Sequence, residues 1–322
     1  MSTKKSMPTG GFLEDLIVAD DGIPEQPIVE NLFYPGINLL FGPPKAGKSN
    51  FAFQVAGAVA NGIPLFGAAT GFDVVKGRIL YLALEETPKL VLGRIRKMGI
   101  SFPPKSLQLK TSFRTLDKGA VTKIGNAIKN DSTLRLVVID VYQKIKGNMK
   151  GGGYASEYKN LAALKKLADD NNVAIVLLHH TTKKIPKNWQ AAAYGSQGLT
   201  GAVDTTILLD RPDMSSKGRL CVTGRKCRTA EYVTEFDDTN LQWQIVGEVK
   251  DTSLTEERRD ILETLKDECG GFLAPKEIGT ATGLDSKSVH NILMKLEKIS
   301  FVDKVKRGCY RITLLGLQAL ED

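Results

Sequence analysis

The octapeptide Gly42-Pro43-Pro44-Lys45-Ala46-Gly47-Lys48-Ser49 fits the pattern G-x-x-x-x-G-K-[ST], and its surroundings give that match its meaning. Before it runs Ile37-Asn38-Leu39-Leu40-Phe41, short and mostly apolar, which predicts a buried strand. After it, Ser49 to Ala60 is a run of small and apolar residues that predicts a helix. Strand, glycine-bearing loop and helix in that order bring successive backbone N–H groups and a helix N-terminus to one point, a cradle for phosphate. Lys48 adds a point charge there, and the Ser49 hydroxyl is placed to meet Mg2+. Gly42, Pro43, Pro44, Lys45, Ala46, Gly47, Lys48, Ser49 and Asn50 are the expected lining of a nucleoside triphosphate site, with Lys48 also a catalytic candidate.

Outward from the loop, further strand-like runs occur at Arg78 to Leu84, Leu136 to Ile139, Val173 to Leu178 and Asp204 to Leu209. Helix-like stretches lie between them, such as Ala155 to Asp170 with Leu161, Leu164, Leu167 and Ala168 on one face. That alternation predicts a mostly parallel α/β sheet flanked by helices and wound by right-handed crossovers. Residues 219–246 read differently, as three short strands with turn signals, which predicts an antiparallel meander at the sheet edge. Three strand ends carry chemistry. Asp140 closes Leu136 to Ile139 in the Walker B manner and is expected to reach Mg2+ through water. Glu85 and Glu86 close Arg78 to Leu84, where one carboxylate can polarise an attacking water and its neighbour is structural. His179 and His180 close Val173 to Leu178, and adjacent strand residues face opposite ways, so one of the two faces the phosphate.

The ends of the chain differ from this core. Residues 1–27 hold Pro8, Pro24 and Pro27 with little apolar periodicity and read as an arm; residues 28–248 form the α/β domain. A polar linker is expected at 249–254. Within residues 255–322 three helices are predicted, with Asp285 or Ser286 capping the third, then a hairpin of Phe301 to Lys306 and Cys309 to Leu314. That order resembles a winged helix-turn-helix domain.

The chain has 322 residues, 42% hydrophobic and 25% charged, with a net charge of +8, an ordinary globular composition. The charge is uneven. Windows 144–153, 181–199 and 217–228 together hold eleven positive residues and no acid, more than the whole excess. No apolar stretch approaches the roughly 20 residues of a membrane span, and Met7-Pro8-Thr9-Gly10-Gly11 is no signal core. Four cysteines without a C-x-x-C pair complete the expectation of a reduced, cytoplasmic protein away from membranes.

A glutamate on the strand after the P-loop helix, rather than beside Asp140, resembles the RecA-like ATPases. The segments Gly42 to Ser49, Leu80 to Glu86, Leu136 to Asp140, Leu177 to Lys183, Tyr194 to Asp204 and Thr223 to Arg228 are most similar to the plasmid and phage replicative helicases of the RepA type, with DnaB and KaiC as cousins. The resemblance implies a RecA-like P-loop core using ATP and Mg2+, and a homo-oligomeric ring, expected to be a hexamer, that moves on single-stranded DNA. It implies Glu85 as catalytic base and His180 as the γ-phosphate sensor, with His179 the alternative. Lys226 and Arg228 look like the Lys-x-Arg pair that enters a neighbour's ATP site. Two channel loops would fall near Lys144 to Tyr154 and Thr182 to Gly198, so Lys144, Lys146, Lys150, Lys183, Lys184 and Lys187 become the expected DNA contacts. Two features depart from the pattern: the short segment before the core and the appended C-terminal domain. The latter offers Lys287, Asn291, Lys295, Lys304, Lys306 and Arg307 to duplex DNA, yet carries 11 basic against 12 acidic residues over 252–322. Duplex DNA and a protein partner both remain open for it. The rival readings are a RecA- or RadA-like recombination or annealing accessory ATPase and a KaiC-like regulatory ATPase acting on proteins.

Overall fold

The computed structural model describes residues 12–19, 25–67, 71–147, 153–181, 189, 202–212, 215–249, 255–268, 271–306 and 308–321. A nine-stranded sheet dominates, in the order β3-β2-β4-β5-β1-β6-β7-β8-β9. Its parallel part comprises β1 (Gly36–Gly42), β2 (Arg78–Ala83), β3 (Leu107–Lys110), β4 (Leu134–Asp140), β5 (Ala174–His180) and β6 (Thr205–Asp210). The meander β7 (Lys217–Gly224), β8 (Ala230–Asp237) and β9 (Gln242–Glu248) continues it antiparallel, as the turn signals predict.

Strand alternation sorts the core into two layers. Leu40 of β1 joins the side chains of α2 (Lys48–Asn61) and α3 (Pro88–Met98), among them Phe51, Phe53, Val91 and Met98. Ile37, Leu39 and Phe41 face the other way, onto Ile124 and Ile128 of α4 (Ala120–Lys129) and Leu161 and Leu164 of α6 (Gly153–Asp170). Every residue of β1 is buried, which explains why its sequence shows no polar alternation. β3 is not among the strands the sequence predicts. It is a four-residue edge strand whose side chains alternate between half-buried and exposed, so its apolar signal is slight. Helix α3 is likewise unpredicted, although its start is written in Thr87, whose hydroxyl accepts from the Leu90 N–H at 3.4 Å, and in Pro88 at the first turn.

Short elements flank these: the largely exposed helix α1 (Leu13–Ala19), within the segment read from sequence as an arm, a 3-10 turn at Leu116–Lys118, and α5 (Tyr142–Lys146) just past β4. Beyond residue 254 come α7 (Glu256–Asp267), α8 (Pro275–Thr282) and α9 (Ser286–Lys298), then the antiparallel pair β10 (Val302–Lys306) and β11 (Cys309–Ile312). Asp285 caps α9, accepting from the N–H groups of Lys287 at 2.9 Å and Ser288 at 3.1 Å. Where the sequence predicts a strand reaching Leu314, a helix α10 (Leu314–Glu321) begins instead. Thr313 starts it: its hydroxyl accepts from the Gly316 N–H at 3.1 Å, an N-cap arrangement that ends the hairpin. This unit has its own core around Ile261, Leu265, Ile278, Leu293 and Tyr310, to which Val233 of β8 belongs, and Asp303 pairs with Lys217 of β7. No described helix is long and apolar enough to cross a membrane.

Candidate functional site

Parallel strands deliver their C-terminal ends to one edge, and here four of them end in the residues singled out by sequence. β1 ends at Gly42 and enters the phosphate loop; beside it β5 ends at His180, in register with Gly42. Next comes β4, ending at Asp140 opposite Ala83, and then β2, which leads through Leu84 into Glu85. Strands lie about 4.8 Å apart, so the loop, His180, Asp140 and Glu85 lie side by side along the carboxyl edge, where ligands of open α/β sheets bind.

Within the loop, Lys45 and Gly47 both take left-handed backbone conformations, with φ of 65° and 89°. Alternating left- and right-handed residues turn consecutive N–H groups into an anion-binding nest. Gly47 is also the N-cap of α2; its positive φ favours glycine, and a Cβ there would crowd the Trp243 indole nitrogen at 3.0 Å. Lys48 is buried, and its ammonium donates to the carbonyls of Gly42 at 2.8 Å and Pro43 at 2.7 Å. Burial lowers its pKa to about 8 against the opposing pull of Asp140 and Glu85. Those two carboxylates therefore already act on the same ammonium that would meet phosphate.

Asp140 is 7% exposed and accepts from Tyr81 Oη at 2.9 Å, with the Ser49 hydroxyl near enough to favour its charged form. Burial raises its carboxyl pKa, and those two hydroxyls work against the rise. A carboxylate and a hydroxyl side by side at a phosphate cradle are a hard-oxygen donor set that fits Mg2+, which takes one or two protein oxygens and completes its shell with water and phosphate. Among the described residues no cluster of three or more His, Cys, Asp or Glu forms an all-protein metal site. Glu85 is exposed at the edge, with its Oε2 3.6 Å from His180 Nε2. Glu86 pairs with Arg94 of α3, whose guanidinium lies 5.9 Å from the Phe53 ring centroid, and its charge raises the Asp140 pKa. The two adjacent glutamates thus have separate environments. His179 packs edge-on against Tyr142 with ring centroids 6.5 Å apart, and His180 is the more exposed of the pair.

Lys226 and Arg228 lie elsewhere. Gly224 pairs with Thr205 at the start of β6, so the β7–β8 turn projects from the amino edge of the sheet, opposite the phosphate loop of the same chain. Lys226 donates to the Pro35 carbonyl at 2.8 Å and to Glu25 and Asp169, each at 3.1 Å. Burial alone would lower its pKa; the two carboxylates outweigh it and hold the ammonium above its ordinary value. Arg228 is half-exposed and pairs with Glu248 of β9. Lys144 is exposed and Lys146 half-buried on α5, just past Asp140, while Lys150, Lys183, Lys184 and Lys187 lie outside the described residues.

One feature of the site has no motif. Trp243 of β9 is wholly buried and its indole N–H donates to the Gly47 carbonyl at 3.3 Å. Gln54 of α2 grips the backbone of Trp243 through both ends of its amide, at 2.8 and 2.9 Å. The sole hint in sequence is that Trp243 is one of two tryptophans.

A family model described as "AAA domain" matches residues 14–185, more than half of the chain and all four strand ends of the site. Among solved structures the chain is similar to one described as an "ATPase Domain", with a TM-score of 0.53 and 12% identity over 72% of this chain and 95% of that one. At that identity the likeness is one of fold, and it agrees with a RecA-like core. No curated protein matches.

Proposed function

This chain belongs to the AAA domain family, and on that footing we propose that it is an ATP-hydrolysing motor that moves on single-stranded DNA, a replicative helicase of the RepA type serving a plasmid, phage or other mobile element. The observation that carries the reading is the shared edge of β1, β5, β4 and β2, with Glu85 one strand beyond Asp140 and not beside it. Phosphoryl transfer depends on position and charge. The loop amides and Lys48 hold the β- and γ-phosphates, while Ser49 and Asp140 hold Mg2+. Glu85 orients the attacking water and His180 senses the γ-phosphate. The bound metal supplies charge neutralisation at the phosphates.

In this proposal the chain acts as a ring, a hexamer, in which Arg228 enters a neighbour's site; its place on the edge opposite its own phosphate loop supports that reading. Lys226, engaged by Glu25 and Asp169 of its own chain, holds the turn from which Arg228 projects. Lys144, Lys146, Lys150, Lys183, Lys184 and Lys187 follow the phosphates of one DNA strand. The C-terminal unit, three helices and a hairpin in winged-helix order, docks duplex DNA or a protein partner.

Single-stranded DNA is expected to raise the ATPase rate several-fold, and a forked duplex to be unwound with ATP. A rate indifferent to DNA but raised by a protein partner would move the reading to a regulatory ATPase; DNA stimulation without strand displacement would favour the recombination accessory. For the trans role, Arg228→Ala should bind nucleotide normally and turn over at least about a thousandfold more slowly. Mixed with Glu85→Gln protein it should regain part of the activity, since some interfaces then combine an intact Arg228 with an intact Glu85. Co-assembled mixtures that stay inactive at every ratio would remove the assignment.

A further inference from the structure

Tyr81 sits in the middle of β2 with no exposure at all, and its ring lies flat on Phe53 of α2, centroids 4.1 Å apart and planes 5° from parallel. Phenylalanine would satisfy that stack. The hydroxyl needs a further reason, because burying it without a partner costs about 1–3 kcal/mol. Its partner is the buried carboxylate at the phosphate site. Tyr81 pairs with Val138 across the β2–β4 ladder and Ala83 with Asp140. Tyr81 and Asp140 are therefore diagonal neighbours on one face of the sheet, within reach of a long side chain. The phenol, held neutral by burial with its pKa well above the ordinary value, donates to Asp140 Oδ2 at 2.9 Å.

We propose that Tyr81 is a positioning residue for Mg2+: it fixes the rotation of the Asp140 carboxylate by occupying part of Oδ2, so that the remaining lone pairs stay available beside Ser49. The inference rests on the reading of Asp140 as the carboxylate that serves the metal. An ionised carboxylate has about four acceptor positions and no donor. The Tyr81 phenol orients it as a neutral donor from within the core, while the charges of Arg94 and Glu86 act on the same carboxylate in opposite senses. Partners of this outer kind, which hold a ligand and do not touch the metal, typically change metal affinity about 10–100-fold when removed.

The test uses the full chain and a fluorescent ADP analogue, with affinity measured in EDTA and across a Mg2+ titration. Tyr81→Phe keeps the ring and should leave the metal-free affinity and the thermal midpoint close to wild type. The Mg2+ concentration at half effect should rise about tenfold. In an Asp140→Asn background the same substitution should change nothing further, since the group it positions is already altered. An unchanged Mg2+ requirement in Tyr81→Phe overturns the proposal, as does an equal loss of affinity with and without metal. If wild type itself shows no Mg2+ dependence, or Asp140→Asn keeps it in full, the reading of Asp140 fails and the role of Tyr81 fails with it. That result is recognisable because it appears before Tyr81 is touched.

Discussion

Lys48→Ala is expected to give a folded protein with ATP turnover lowered by at least about two to three orders of magnitude, on the scale of losing one preorganised donor from a transition-state site. The structure makes the effect local. The ammonium donates to the carbonyls of Gly42 and Pro43, both within the phosphate loop itself, so its loss leaves the sheet and the helix ladder intact. Stability should hold or rise, because a charged group is removed from a buried position. The pH dependence carries a sign of its own. The folded pKa of about 8 lies below the ordinary lysine value of 10.5. Between those values the unfolded chain binds more protons than the folded one, so this group makes the wild type gain stability as pH rises through that window. In Lys48→Ala that gain is absent. Steady-state hydrolysis with urea unfolding, at about pH 7.5 and about pH 9.5 on either side of the folded value, checks both parts. Turnover above roughly a tenth of wild type would sink the role given to Lys48.

Trp243→Ala is expected to be the most destabilising single substitution at the site, by about 3–5 kcal/mol, the usual cost of emptying a buried aromatic position. The indole is wholly buried, tilted against Phe236 at 4.9 Å, and seated under Gly47 at the N-terminus of α2. Removing it opens a cavity and frees the end of the phosphate loop together. Trp243→Phe separates the two effects. It refills part of the space but loses the N–H and part of the ring, so stability should fall by about 1–3 kcal/mol, less than in Trp243→Ala, while nucleotide affinity drops several-fold. Denaturant midpoints with nucleotide titrations decide the matter. A loss below about 1 kcal/mol in Trp243→Ala would show that the meander does not brace the loop.

Much of this site is readable before any coordinates, and for a physical reason. The phosphate loop, Asp140, Glu85 and His180 all follow short apolar strands buried on both faces, and such strands announce themselves by hydrophobic runs with a polar residue at the end. Edge elements announce little: β3 carries the sequence Leu107-Gln108-Leu109-Lys110 and is half-exposed. Contacts between distant segments leave no local trace. Gln54 and Trp243 are 189 residues apart, and nothing near either one names the other. Tyr81 looks like any aromatic residue in a strand until the β2–β4 register sets it diagonally below Asp140. The Lys226 and Arg228 spacing likewise says nothing of the contacts these side chains make within their own chain, Lys226 with Glu25 and Asp169 and Arg228 with Glu248.

The β7–β8 turn leaves the sheet at the edge opposite the phosphate loop. In the proposed assembly, where Arg228 serves a neighbour around a ring, copies of this chain join through two unlike surfaces, head to tail. Such a heterologous contact caps nothing by itself, and growth stops only when the rotation between neighbours closes a circle; otherwise it continues as a screw. An open arc then has one fewer complete catalytic site than it has copies, with an unserved loop at one end and an idle arginine at the other. Closure completes the last site. Activity per copy should therefore climb with assembly and level off when the circle is shut, so that enzyme concentration itself reports the geometry.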